Sequence, residues 1–267
     1  MLGLWVSGMY SNNLTTGTLV RRVLEQLGNE GIKKKKALSI TFDDGYTSQY
    51  THTYNMLEEI GIRATYFITS WQDGRRKNEG GDWMSEEQIR KLSHHGHEIA
   101  CHTTTHTRNP SLEQLTEEWR VSKRYLEEVT GKEVVTHAYP FGYWGQHINR
   151  RAQGFFEATR GSSNGWKDTL YNTHSVNVDG YSVNEVKQLV DDFLASEDGH
   201  LVVYVHQIYD NDQAEQAQQA GRPTAAMLRE WVEYMSSKRE EGLVDIIPYY
   251  QGVRRLEPSL VNTYKGD

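Results

Sequence analysis

Short apolar, β-branched runs recur along this chain, and helical periodicity fills most of the gaps between them. No other feature constrains the fold more. The runs cover residues 37–42, 64–69, 98–101, 134–139, 155–159, 175–178, 201–206 and 244–247, each of strand length and composition. Between them, Leu112, Leu115, Trp119, Leu126 and Val129 share one helix face. So do Val183, Val186, Leu189, Val190 and Phe193, and likewise Leu228, Trp231, Val232 and Met235. Ser85, Ser111 and Ser182 are each followed three residues later by Gln or Glu, the pattern of a capping box. Gly61, Gly96, Gly131 and Gly242 fall where helices should stop. Strands joined through helices pair in parallel. About eight of them favour closure, so the expected fold class is α/β: an irregular (β/α) barrel of about seven to eight mainly parallel strands.

The 267 residues suit one large domain. Leu19, Val20, Val23, Leu24 and Leu27, closed by Gly28, predict an extra helix, so residues 1–36 read as a helical extension packed on a catalytic barrel of residues 37–267. Lys plus Arg is 29 against 36 Asp plus Glu, a formal net charge of −7 that suits neither nucleic acid nor an anionic membrane surface. No stretch has the length of a membrane span, and residues 1–9 lack the basic and apolar regions of a signal peptide. Cys101 is the one cysteine, which rules out an intrachain disulfide. Residues 70–82 and 208–223 read as long polar loops that follow strand ends.

Four of the strand ends carry chemistry. Asp43-Asp44-Gly45 closes the first, where two adjacent carboxylates would repel unless a cation or a shared proton offset them. His102 and His106 follow the third with a spacing that lets both reach one metal ion, and the three threonines between them argue for a loop over a regular helix. Tyr139-Pro140-Phe141-Gly142 ends the fourth with a tight turn able to present a backbone N–H. His206 ends the run 201–205. Each alone has a plain structural reading: a capped turn, a chance pair among 11 histidines, a strand-ending turn, a packed imidazole. Their shared position argues otherwise, because a parallel barrel gathers its strand C-termini on one rim. One Asp and two His suffice for a divalent ion with positions left for water, and the second Asp can then take a proton.

TFDDG at 41–45, GHEIACHTTTH at 96–106, AYPFG at 138–142 and VYVHQI at 203–208, in this order, resemble the four motifs of the polysaccharide deacetylase family, the NodB-homology or carbohydrate esterase family four. The resemblance covers roughly residues 37–208. It implies a metal-dependent hydrolase that removes acetyl groups from an acetylated glycan, most commonly an N-acetylhexosamine, on an irregular barrel. It assigns Asp44, His102 and His106 to a divalent metal, zinc first, with cobalt, nickel or iron as further fits. Asp43 becomes the general base, His206 the general acid, and the Phe141 N–H the oxyanion donor; Tyr139, Pro140 and Trp144 would contact substrate.

Two positions depart from the family pattern. Many relatives carry an Arg at the start of the third motif that orients the base; here it is Ala138, and Arg160 is the candidate replacement. No clean Asp-x-x-Asp-Trp motif is present, which leaves Asp179 or Asp168 to orient His206. The partner implied is an acetylated oligo- or polysaccharide, which suits an exported or cell-envelope setting, with a cytoplasmic one and the oligomeric state left open. Hydrolysis of a small amide or cyclic imide on the same fold is the alternative chemistry. A glycan-binding protein with weakened turnover is the alternative class.

Overall fold

The computed structural model describes residues 35–70, 83–142, 145–162 and 170–260. The N-terminal helix expected within residues 1–36 falls almost wholly outside the described residues, as does most of the 70–82 loop. Every one of the eight predicted runs forms a strand: β1 (Lys36–Asp44), β2 (Thr65–Ile68), β3 (Glu98–Cys101), β4 (Thr136–Ala138), β5 (Ala158–Arg160), β6 (Val176–Asn177), β7 (His200–Val205) and β8 (Val244–Ile246). Their order across the sheet is β5-β4-β3-β2-β1-β7-β6, with β8 beside β1, and every pairing is parallel.

β1 is the axis of this arrangement. It pairs with β7 from Ala37 to Phe42, with β8 at Lys36–Leu38 and with β2 at Thr41–Asp44. Its residues 37–44 are all buried, as a strand covered on both faces requires. The sheet curls until its outer strands approach. Thr173 bridges Arg160 of β5, and three residues later the chain enters β6.

Helices cover the outside: α1 (Thr47–Ile60), α2 (Glu86–His94), α3 (Leu112–Thr130), α4 (Gln146–Ala152), α5 (Val183–Ala195), α6 (Ala214–Ala220), α7 (Ala225–Glu240) and α8 (Tyr249–Leu260). Ser85, Ser111 and Ser182 each complete a capping box, and Gly61 and Gly131 close α1 and α3 in left-handed conformation. The apolar stripes point inward. Trp119 of α3 and Trp231 of α7 are fully buried, and replacing either with Ala would cost about 3–5 kcal/mol. Lys36 Nζ donates to the carbonyls of Phe193 (2.8 Å), Ser196 (2.7 Å) and Asp198 (2.7 Å), tying the start of β1 to the end of α5.

The 208–223 segment differs from the expected open loop, because residues 211–213 form a 3₁₀ turn and α6 follows. Asp210 and Gln213 cap the turn reciprocally and Gly221 ends α6, but only Ala217 of α6 is buried, so no apolar stripe announced it. His137, read as structural, is fully buried, donating from Nδ1 to the Cys101 carbonyl (3.0 Å) and accepting at Nε2 from Trp119 (3.1 Å). Burial pushes its pKa well below the usual value. Among the described residues, no helix is long and apolar enough to cross a membrane.

Candidate metal and acid–base site

Because the strands are parallel, the ends of β1, β3, β4, β5 and β7 share one rim. A cavity of about 570 Å³ opens there, a size that suits a small ligand. Asp43, Asp44, His102, His106, Tyr139, Phe141 and His206 all line it. Local strain is concentrated at the same rim. The non-glycine residues with positive φ among those described are Asp44 (77°), Thr103 (66°), His106 (52°), Asn109 (51°) and Phe141 (56°). Such backbone costs about 1–3 kcal/mol per residue and persists only where surrounding structure enforces it. Gly45 enforces the first turn: at φ +86°, a Cβ would sit 3.2 Å from Ile68 side-chain atoms.

Asp44, His102 and His106 present ligand atoms that all lie within 4.8 Å of one another. Asp44 Oδ1 is 3.3 Å from His102 Nε2 and 3.2 Å from His106 Nε2. His102 donates its Nδ1–H to the Ala138 carbonyl (2.8 Å), which turns Nε2 toward the carboxylate. Asp44 Oδ1 is buried and accepts no hydrogen bond among the described residues. Burial, followed by repulsion from His102, lowers the pKa of His106 to about 4, so this imidazole is neutral near pH 7. Burial opposes charge on Asp44, but the attraction of His102, His106 and His206 outweighs it and holds the carboxyl well below the usual range. A carboxylate oxygen and two imidazole nitrogens converge on one point. A divalent cation fits that donor set, and the donor chemistry suits zinc and its first-row neighbours.

Glu118 of α3 pins the loop that carries both histidines. Its Oε2 accepts from the Thr104 N–H (3.1 Å) and the Thr105 N–H (3.0 Å), and its Oε1 accepts from the Thr105 hydroxyl.

Asp43 is 3% exposed, and its Oδ2 accepts from Arg160 Nη2, the guanidinium being equally buried. Arg160 lies against the rings of Tyr204 (4.3 Å) and Phe67 (4.9 Å). In the sheet register Arg160 is the direct β5 partner of Ala138 on β4. The cation missing from position 138 therefore enters at the same level from the adjacent strand. His206 Nδ1 lies 2.5 Å from Asp179 Oδ2, and Asp179 Oδ1 accepts the His206 backbone N–H at 2.9 Å. Arg222 donates to the same carboxylate. Burial works against the imidazolium, but the hydrogen bond to Asp179 and the charge of Asp43 raise the His206 pKa above its ordinary value. Asp168, the other candidate, lies outside the described residues.

The remaining expected contacts divide. Phe141 is half exposed, its ring edge-on to His106 at a centroid distance of 4.5 Å. Tyr139 lines the cavity, yet its hydroxyl is used internally, donating to Asn149 (3.0 Å) and accepting from Thr159 (3.1 Å). Pro140 is buried beside a small neighbouring void lined by Thr103 and Glu118 and is not among the residues lining the main cavity. Trp144 lies outside the described residues. Sequence reasoning missed Gln49, which is fully buried and donates to the carbonyls of Asp43 and His206 (3.1 Å), stapling the ends of β1 and β7 together. It also missed Tyr46, Arg108 and Arg222 on the cavity wall, where Tyr46 stacks on Trp83 at 4.6 Å. Only the placement of Tyr46 directly after the first motif could have signalled any of these.

A curled parallel α/β sheet with a carboxylate and two imidazoles converging at its C-terminal rim defines a barrel protein built around a divalent-cation site. Residues 30–155, just under half of the chain, match the model of the polysaccharide deacetylase family, and this match supports assignment of the chain to that family. A candidate polysaccharide deacetylase of Bacillus subtilis (strain 168), YxkH, is 29% identical over 121 residues, 45% of this chain and 42% of its own length. The chitin disaccharide deacetylase of Vibrio alginolyticus is 26% identical over 107 residues, 40% of this chain and 25% of its own. The chain thus matches less than half the length of either relative. A candidate polysaccharide deacetylase from Mycobacterium smegmatis shares the fold, with a TM-score of 0.61 at 17% identity, over 86% of this chain and 93% of that one.

Proposed function

We propose that this protein is a metal-dependent amide hydrolase that removes acetyl groups from an acetylated sugar, with an N-acetylhexosamine unit of a glycan as substrate. The observation that carries this reading is the buried, unpartnered Asp44 Oδ1 facing two imidazoles, with an Asp43–Arg160 pair and a His206–Asp179 pair on the same cavity wall. Asp44, His102 and His106 would hold the ion. A divalent cation supplies Lewis acidity, bringing the pKa of water toward about 7 and polarising an acyl oxygen.

The side chains divide the proton work. Asp43 takes a proton from the attacking water, and Arg160 fixes the orientation of its carboxylate and balances its charge. The amide nitrogen leaves as a neutral amine only if it is protonated. His206 gives it that proton, since its raised pKa keeps the imidazolium populated near neutral pH. Asp179 receives the Nδ1–H and so turns Nε2 toward the cavity. The turn at Phe141 sets its ring against His106, and its backbone N–H, if it serves as the oxyanion donor, would be worth about 3 kcal/mol. Water adds its OH to the acyl carbon, the C–N bond breaks, and acetate and a free amine result. The names of the relatives support a glycan substrate, and the Vibrio relative's name points to N-acetyl groups.

The test is acetate release from N-acetylglucosamine oligomers by metal-stripped protein, with zinc or cobalt restored, beside Asp43→Ala. Release that depends on metal and disappears in the variant is the expected result. No release from zinc-loaded protein on N-acetyl or O-acetyl oligomers would overturn the reading.

A further inference from the structure

Two of the three arginines on the cavity lining are paired with carboxylates: Arg160 with Asp43 and Arg222 with Asp179, which also holds His206. Arg108 is the third, and it makes no ion pair among the described residues. It is exposed to solvent, in the loop just beyond His106. Its guanidinium carbon sits 3.9 Å from the centroid of the Phe141 ring. That ring in turn packs against His106.

The N–H bonds of a guanidinium lie in its plane, so one held over a ring through its carbon has N–H donors at its edges available to other acceptors. An aromatic surface also removes some of the rotational freedom that a free Arg side chain would lose on binding. Arg108 is therefore a preorganised fork at the cavity mouth, beside the metal ligands and open to solvent. A planar fork of this kind matches a carboxylate through two parallel hydrogen bonds. Arg108 is the arginine of the wall that no carboxylate neutralises, so a single carboxylate on a bound sugar gives it the partner that Arg160 and Arg222 already have. The chain as a whole carries −7, so an acidic polymer would be disfavoured elsewhere on its surface and drawn only to such a local positive rim.

We propose that Arg108 is a specificity residue that binds the carboxylate of an acidic sugar next to the acetylated one, so that the substrate is an acetylated, uronate-containing glycan and not a neutral polymer. The proposal rests on the deacetylase reading for its substrate, but the anion site can be measured apart from turnover.

The experiment uses zinc-loaded protein and two hexasaccharides, one alternating N-acetylglucosamine with glucuronate and one in which the same glucuronates are methyl esters. The readout is the ratio of kcat/KM for the two, in the parent protein and in Arg108→Gln and Arg108→Glu, with zinc content measured for each because Arg108 lies close to His106 in sequence. The free carboxylate should be preferred about tenfold by the parent, the ratio should fall to about one in the Gln variant, and it should invert in the Glu variant. The preference should also shrink as salt is raised. A parent ratio near one, or a preference that survives both substitutions, overturns the proposal. If neither hexasaccharide releases acetate, calorimetric binding of the same pair decides. Tighter binding of the carboxylate form that is lost in Arg108→Gln keeps the anion site and removes the deacetylase reading. Equal binding of the two forms, or none, removes the anion site.

Discussion

Strand β3 has a carboxylate at one end and an imidazole beyond the other, and the two ends are built on opposite principles. At its start, Glu98 accepts from the hydroxyls of Thr65 (2.8 Å) and Thr136 (2.5 Å) and from the Tyr250 N–H (2.9 Å). These donors are all neutral. Burial, working against those three hydrogen bonds, still raises the Glu98 pKa. Just past the other end, His102 turns Nε2 toward Asp44 Oδ1, which has no hydrogen-bond donor among the described residues. The first end is closed by the protein itself and joins β2, β3, β4 and α8 together. The second is left incomplete by one cation. Satisfied buried polar groups belong to stability, and a buried carboxylate oxygen left open beside two imidazoles on a cavity wall points to function.

The largest effect that should separate the two ends is metal binding. Asp44→Asn should lose more than about 100-fold in zinc affinity and on the order of 10³ in acetate release. Glu98→Gln should leave metal content and turnover within about twofold. Elemental analysis of purified protein with an acetate assay checks both, and loss of zinc from Glu98→Gln would mean that the two ends are not independent.

Next in size is Arg160. Breaking a buried pair leaves an uncompensated charge and costs about 3–5 kcal/mol of stability. Arg160→Ala should therefore lower Tm and reduce kcat by about 10²-fold per bound metal. Adding Ala138→Arg in that background should recover a good part of kcat, because the two positions face each other across β4 and β5. Failure of the double variant to recover, with zinc bound, would show that the strand of origin matters.

Asp179→Asn tests the other proton. The His206 pKa is raised in the folded protein, so protonated His206 contributes stability that is full below about pH 6.5 and is lost as pH rises through the higher folded value. Without the carboxylate the alkaline limb of kcat/KM should move to lower pH, with about a tenfold loss near pH 8. A pH–rate series reads this directly, and an unmoved limb would take His206 out of the general-acid role.

The smallest effect belongs to Glu98 again. Its folded pKa is also raised, so its contribution is full below about pH 4.3 and falls as pH rises through the folded value. Gln cannot ionise. The Tm difference between Glu98→Gln and the parent should thus move slightly in the variant's favour from pH 4 to pH 7. A constant difference over that range would show the three hydrogen bonds to be worth as much to the carboxylate as burial takes from it.

Much of this was legible in the chain because it is local. β1 announces itself through Leu38, Ile40 and Phe42, and Ser111 with Gln114 announces the start of α3, since each pattern reports what its own few residues can hydrogen-bond or bury. The grouping of Asp44, His102 and His106 was readable one step further out, from the rule that parallel strands end on one side. α6 stayed hidden because its AEQAQQA sequence buries a single residue, Ala217. Tyr139 and Pro140 illustrate a different blind spot: a motif names positions on a turn, but whether a hydroxyl faces ligand or Asn149 depends on a helix ten residues away.

The sequence by itself determined the strands, their parallel order of ends and the residue types gathered at the rim, since strand propensity, capping and turn chemistry act over a few residues. Only the tertiary structure decided which distant charges meet there. Arg160 reaches Asp43 across 117 positions because β5 lies beside β4 in register, and Arg222 reaches Asp179 across 43 because the chain after α6 folds back onto Tyr209, just past β7. Coulomb energy depends on separation in space, and nothing in the order of residues along a chain specifies that until the sheet has curled.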